Sequence, residues 1–118
     1  MLSIVKTTYN MNFKEYQEKA IKTAQYGAGS KITYPALGLG NEAGEVLGKI
    51  KKVYRDKEGK FTTDVCIEIG DEIGDTLWYM AALCEDLGIS LEDVANNNLI
   101  KLADRKKRNV ISGSGDKR

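Results

Sequence analysis

Apolar residues recur at steps of three and four along four stretches of the chain, and each stretch predicts a helix. Residues 1–11 lack such a period and predict a short extended arm. Asn12 followed by Glu15 is a helix start, an asparagine cap with an acid three residues on. Phe13, Tyr16, Ala20, Ile21 and Ala24 carry that first helix to about Tyr26, and Gly27-Ala28-Gly29 ends it. Pro35, the single proline, suits the opening of a second helix, whose apolar arc is Leu39, Ala43, Val46, Ile50 and Val53, reaching about Tyr54. A polar turn from Arg55 to Lys60 leads to a third helix, about Thr63 to Leu87. It is expected to bury Val65, Ile69, Ile73, Met80, Leu83, Cys84 and Leu87, and Gly88 is its stop signal. Ser90 with Asp93 opens a fourth helix, with Leu91, Val94, Ala95 and Leu102 as its arc. No repeat, low-complexity tract or composition break divides residues 1–118, so the expectation is one all-α domain, a four-helix bundle.

The informative residues are those that break this pattern. Glu42 falls inside the edge of the second helix's apolar arc and Glu45 lies beside it, with Lys49 and Lys52 on the same flank. Glu68, Glu72, Asp75 and Tyr79 follow one ridge of the third helix. Like charges at such spacings cost an isolated helix roughly 0.2–0.5 kcal/mol per pair, and nothing local offsets that. In an antiparallel hairpin with a short turn, Glu42 lies level with Asp75 and Glu45 level with Glu72. Four facing carboxylates repel unless a cation joins them. Hard divalent ions, magnesium with manganese as a substitute, take oxygen ligands of this kind. Glu68, one turn before Glu72, is a candidate fifth ligand. Gly70 and Gly74 weaken the third helix and are expected to admit another helix at close range. On the fourth helix, Asn98 lies in the middle of the apolar arc, flanked by Lys101 and Arg105. It reads either as a bundle-specifying core asparagine or as a ligand contact, and the neighbouring cations favour the second. By spacing alone, Gln17 is a surface amide and Tyr26 a core ring.

Composition narrows the chemistry. There is no histidine, which excludes His-based triads, zinc–imidazole sites and histidine bases. A carboxylate not engaged by metal then becomes the natural proton acceptor. Cys66 and Cys84 are roughly 27 Å apart on one helix, beyond disulfide reach, and suit a reducing cytosol. No cleavable leader or membrane span is evident, so a cytoplasmic protein without a membrane partner is expected. Seven basic residues against two acidic ones lie from Lys101 onward in a chain of net charge +1, and such an end suits phosphate groups. Carboxylates would hold magnesium against phosphate oxygens and the basic residues would neutralise a departing pyrophosphate.

These residues and their flanking words resemble the MazG-like, all-α nucleoside triphosphate pyrophosphohydrolases. The family's E-x-x-E and E-x-x-D pair reads here as Glu42, Glu45, Glu72 and Asp75. LGLGNEAGEV at 37–46, EIGDTLWYMA at 72–81, GISLEDVANNNLIKLADRKKR at 88–108 and the ending ISGSGDKR match as well. The likeness spans about residues 12–118. It implies hydrolysis of a (deoxy)nucleoside triphosphate between the α and β phosphates, with magnesium, in a dimer or dimer of dimers whose sites lie at subunit contacts. It makes the four acids catalytic metal ligands. Asn98, Lys101 and Arg105 become substrate contacts, and Gln17, Tyr26 and Tyr79 neighbours of the nucleoside. One departure is Asn109, where relatives tend to have glycine after the arginine. The competing expectation is a non-catalytic helical module binding nucleic acid or protein through its basic C-terminal end. That would call for basic residues interleaved with aromatics, whereas here the acids are the organised feature, and no nucleic-acid partner is expected.

Overall fold

The computed structural model describes residues 1–5 and 8–118 and, among these, holds four α-helices and no strand. They are α1 (Phe13–Ala20), α2 (Thr33–Asp56), α3 (Thr63–Asp86) and α4 (Leu91–Lys107), with 3-10 turns at Ile21–Thr23 and Ala28–Ser30. The all-α expectation holds, and the starts at Asn12, Thr63 and Ser90 fall where the sequence puts them. Asn12 and Glu15 form a reciprocal capping box, Thr62 accepts from the Val65 amide, and Ser90 accepts from Asp93.

α2 and α3 pack along each other as an antiparallel hairpin, each about 36 Å long. The Val53 carbonyl accepts from the amides of both Lys57 and Gly59, and Glu58 and Gly59 take positive φ, which reverses the chain within six residues. Val53 and Val65 are buried beside that turn, and Tyr54 meets Phe61 edge to face. Gly88, at φ 68, stops α3 as expected.

The first helix is shorter than its hydrophobic period. Its α-helical part ends at Ala20, not near Tyr26, because a residue 58 positions away intervenes. The indole Nε1 of Trp78 donates to the Ala20 carbonyl (3.2 Å) and to the Thr23 hydroxyl (2.8 Å), and that hydroxyl donates to the same carbonyl (2.7 Å). The backbone tightens into a 3-10 turn and leaves the helix at Ala24. The core here consists of Ala20, Ala81, Cys84 and Leu91, with Tyr16, Leu77 and Trp78 packed on it.

Gln17 is buried and binds α1 to the start of α4. Its amide nitrogen donates to Glu85 Oε2 (3.0 Å) and the Ile89 carbonyl (3.2 Å), and its oxygen accepts from the Leu91 amide (2.8 Å). It is neither a surface amide nor free for a nucleoside: its hydrogen-bonding groups are used inside the chain.

Beyond this junction α4 diverges from the hairpin. Val94, Leu99, Ile100 and Leu102 stay exposed, as does Leu47 on the hairpin. Ile73, Met80 and Leu87, expected to be buried, are exposed too, because no described element of the chain packs over that face. Asn98 is exposed on α4 rather than enclosed in a stripe. The accessible surface is 8899 Å², against ~6,400 Å² for a compact monomer of this mass, and the extended arm accounts for part of the excess. The radius of gyration, 16.9 Å, likewise exceeds the ~13–14 Å of a compact domain. Neither Gly70 nor Gly74 admits a helix: Ile4 of the arm lies over Gly70, and Gly74 is open. The close approach is at Gly38, where a Cβ would collide with the ring of Tyr79.

Gln17→Leu leaves the Ile89 carbonyl and the Leu91 amide without their partner. Urea unfolding at fixed protein concentration should show a loss of about 1–3 kcal/mol.

Candidate metal centre

Glu42 reaches from α2, and Glu72 and Asp75 from α3, so that each offers an oxygen within 4.8 Å of the others. Glu42 and Glu72 are half-buried and Asp75 is exposed, which matches a position at the edge of the apolar arc. Two ligands on opposite sides of an octahedral magnesium ion lie roughly 4.2 Å apart, twice the metal–oxygen distance. The spacing of the three carboxylates is of the order that one such ion spans. The donor set is oxygen only, without imidazole, and both cysteines are free thiols outside it. That fits magnesium or manganese rather than a softer metal. Glu45 is exposed and stands outside the trio. The expected level pairing of four acids thus takes the form of three together and one apart.

A lysine offsets part of the repulsion. The Lys49 ammonium lies 3.7 Å from Glu72 Oε1 and 3.6 Å from Glu68 Oε2, bridging the hairpin beside the trio. Glu68 is thereby paired with a cation of the chain itself.

An aromatic wall adjoins the acids. Tyr79, one turn after Asp75, contacts Trp78 edge to face and lies 6.1 Å from Tyr34, which stacks on Tyr26 at 4.9 Å. Tyr26, Tyr34, Trp78 and Tyr79, with Thr23 and Gln25, line a cavity of about 240 Å³. The interaction of Tyr79 with Tyr34 first, then burial, and last the charges of Glu42 and Asp75 push the Tyr79 phenol up. Tyr26 and Tyr79, both singled out in the sequence, are brought to one cavity. Tyr34 and Trp78, which sequence reasoning missed, complete it; the signal available was an aromatic pair at 78–79 and a tyrosine beside Pro35.

Asp86 fixes this wall from the end of α3. It accepts from the Tyr26 hydroxyl (3.1 Å) and from the amide of Ile32 (2.8 Å). Ile32 has φ 66 and ψ −55, a strained conformation for a β-branched residue that costs about 1–3 kcal/mol, and the Asp86 bond helps to hold it. An acid at a helix C-terminus opposes the macrodipole, which was the unread clue.

The α4 residues are not joined to this group within the described chain. No hydrogen bond or ion pair links Asn98, Lys101 or Arg105 to the acids. Arg105 is buried at 6% side-chain exposure, and its Nη2 donates to the Asp116 carbonyl (2.8 Å), so it is not a free phosphate ligand. Its burial follows from the fold of the tail, which α4's periodicity does not encode.

Two outcomes follow from this geometry. Magnesium or manganese should raise the thermal midpoint of the wild type by mass action, and calorimetric scans of Glu42→Gln, Glu72→Gln and Asp75→Asn should show that rise abolished. Without metal, the same variants should melt at or above the wild-type midpoint, since repulsion is removed. Burial first, and then the Asp86 hydrogen bond, push Tyr26 up to about 12 from 10.0. The neutral phenol stabilises the fold fully below pH 10, and that contribution is lost as pH rises through about 12. Tyr26→Phe should delete the last phenolate step in an alkaline ultraviolet titration.

Comparison with known proteins gives the family. The model of the MazG nucleotide pyrophosphohydrolase domain matches residues 33–110, which hold all four acids and α4. The chain is 43% identical over 114 residues to the Gene 37 protein of Mycobacterium phage L5, covering 92% of this chain and 100% of that protein. No solved structure is significantly similar to it. The paired acids on a helical hairpin and a family match to about two thirds of the sequence lead to one conclusion: the chain belongs to the MazG nucleotide pyrophosphohydrolase domain family.

Proposed function

We propose that this protein hydrolyses a (deoxy)nucleoside triphosphate between the α and β phosphates, giving the monophosphate and pyrophosphate. The observation that carries this reading is the carboxylate trio of Glu42, Glu72 and Asp75 beside an aromatic cavity, in a chain of this family. Glu42, Glu72 and Asp75 hold magnesium, and Glu45 completes the acid set. When bound, the ion supplies positive charge to the phosphate oxygens and makes nearby water more acidic.

Glu45, outside the trio, is the carboxylate we assign to receiving the attacking water's proton. The water oxygen bonds to the α phosphorus as the bond from that phosphorus to the bridging oxygen breaks. The bridging oxygen leaves with its electron pair as part of pyrophosphate. Lys101 and Asn98 stabilise the charge that develops on the departing group. Tyr26, Tyr34 and Tyr79 offer the base a stacking surface.

Self-association into a dimer or dimer of dimers belongs to the same proposal. The exposed Val94, Leu99, Ile100 and Leu102 on α4, and Leu47, Ile73 and Met80 on the hairpin, are the apolar area a second copy would cover. Contact between copies also offers a way for α4's polar residues to reach the acids. Two free thiols fit a cytoplasmic setting.

Incubation with magnesium and a panel of canonical, deoxy and modified triphosphates tests the reaction. Monophosphate and pyrophosphate should appear in equal amounts, and Glu42→Gln, Glu45→Gln, Glu72→Gln and Asp75→Asn should each abolish turnover while remaining helical. Orthophosphate as the first product would contradict the proposal.

A further inference from the structure

The basic end of α4 does not project freely into water, because residues 109–118 turn back along it. Asn109 takes φ 58, a left-handed conformation that asparagine tolerates better than most residues, so reversal begins directly after the helix. This accounts for an asparagine standing where a glycine is the common choice. Gly113 and Gly115, at φ 118 and 85, turn the chain again.

Arginines pin the returning segment. Arg105 Nη2 donates to the Asp116 carbonyl (2.8 Å) and approaches its carboxylate Oδ1 (3.4 Å). Arg108 donates to the Arg118 carbonyl (2.8 Å), and Arg118 donates back to the carbonyls of Ile111 (3.3 Å) and Gly115. The Arg105 side chain is buried beneath this loop, with its Nε unpaired. One turn earlier, the Lys101 ammonium lies 3.4 Å from the same Asp116 Oδ1. Asp116 is 87% exposed, so its carboxylate faces water while its backbone is fastened to a buried guanidinium.

We propose that Arg105 and Asp116 are positioning residues for Lys101: Arg105 anchors the tail, and Asp116 holds the lysine ammonium where it meets the phosphates. The inference rests on the reading of Lys101 as a phosphate contact. An ammonium has three donors, and one spent on Asp116 leaves two for phosphate oxygens. A free lysine loses substantial rotamer entropy when it is fixed on a ligand, and a lysine already held loses less. Arg105 keeps the Asp116 backbone in place whether or not the carboxylate is present, so the carboxylate can be removed without dismantling the anchor.

The test uses the full chain and measures inorganic pyrophosphate binding in magnesium by calorimetry, together with KM and kcat for a triphosphate that the enzyme turns over. Asp116→Ala should weaken pyrophosphate binding and raise KM about two- to tenfold, with kcat changed less. Asp116→Asn keeps an acceptor oxygen and should restore most of the loss. In a Lys101→Ala background, Asp116→Ala should have no further effect. Thermal midpoints of all variants identify any that fail to fold. Tighter pyrophosphate binding by Asp116→Ala would overturn the inference, since the carboxylate would then be a competitor of phosphate. An equal effect with and without Lys101 would overturn it too, as the tail would then be merely structural. A wild type that neither turns over triphosphate nor binds pyrophosphate would overturn this inference together with the pyrophosphohydrolase reading. Normal wild-type behaviour with a Lys101-independent effect would overturn this inference alone.

Discussion

Like charge held across a helical hairpin is the constraint around which this molecule is arranged. Glu42, Glu72 and Asp75 bring three carboxylates within 4.8 Å, two of them half-buried, where repulsion is less screened than in open water. The hairpin holds them together because its ends are fixed independently. The turn closes on the Val53 carbonyl, and the far end is fastened by Asp86 to Tyr26 and Ile32. Lys49 offsets part of the charge from one side. The remainder is electrostatic free energy that a divalent cation would release on binding, so a cluster that destabilises the empty fold would gain affinity for an ion.

The surroundings of the trio follow from the same constraint. A cation site between two helices needs those helices close, and Gly38 lets the Tyr79 ring lie directly on α2. That contact also sets the aromatic wall beside the acids. α4 obeys a different requirement. Gln17 and Ser90 cap its start, so its direction is set at the junction with α1 and α3, and its apolar side is left uncovered.

Features encoded within a few residues were legible in the sequence. The caps at Asn12 and Ser90, the stop at Gly88 and the two long helices depend on neighbours in the chain. The Glu42 signal was legible because an acid inside an apolar arc demands a partner. What escaped detection depends on distant residues. Trp78 shortens α1 from 58 positions away, Gln17 caps a helix more than 70 residues downstream, and a reversed tail buries Arg105. The apolar periods predict burial of Ile73, Met80 and Leu87, yet these lie exposed, as do Val94 and Leu102. Period reports which face is apolar, not whether this same chain covers it.

The central claim is that these acids form one divalent-cation site. Anomalous diffraction from crystals grown with manganese tests it most directly, since it locates the ion without reference to turnover. The account predicts a peak between Glu42, Glu72 and Asp75, within bonding distance of their carboxylate oxygens, that is absent in Asp75→Asn crystals. A manganese peak elsewhere on a catalytically active protein, with these three carboxylates left unliganded, would contradict it.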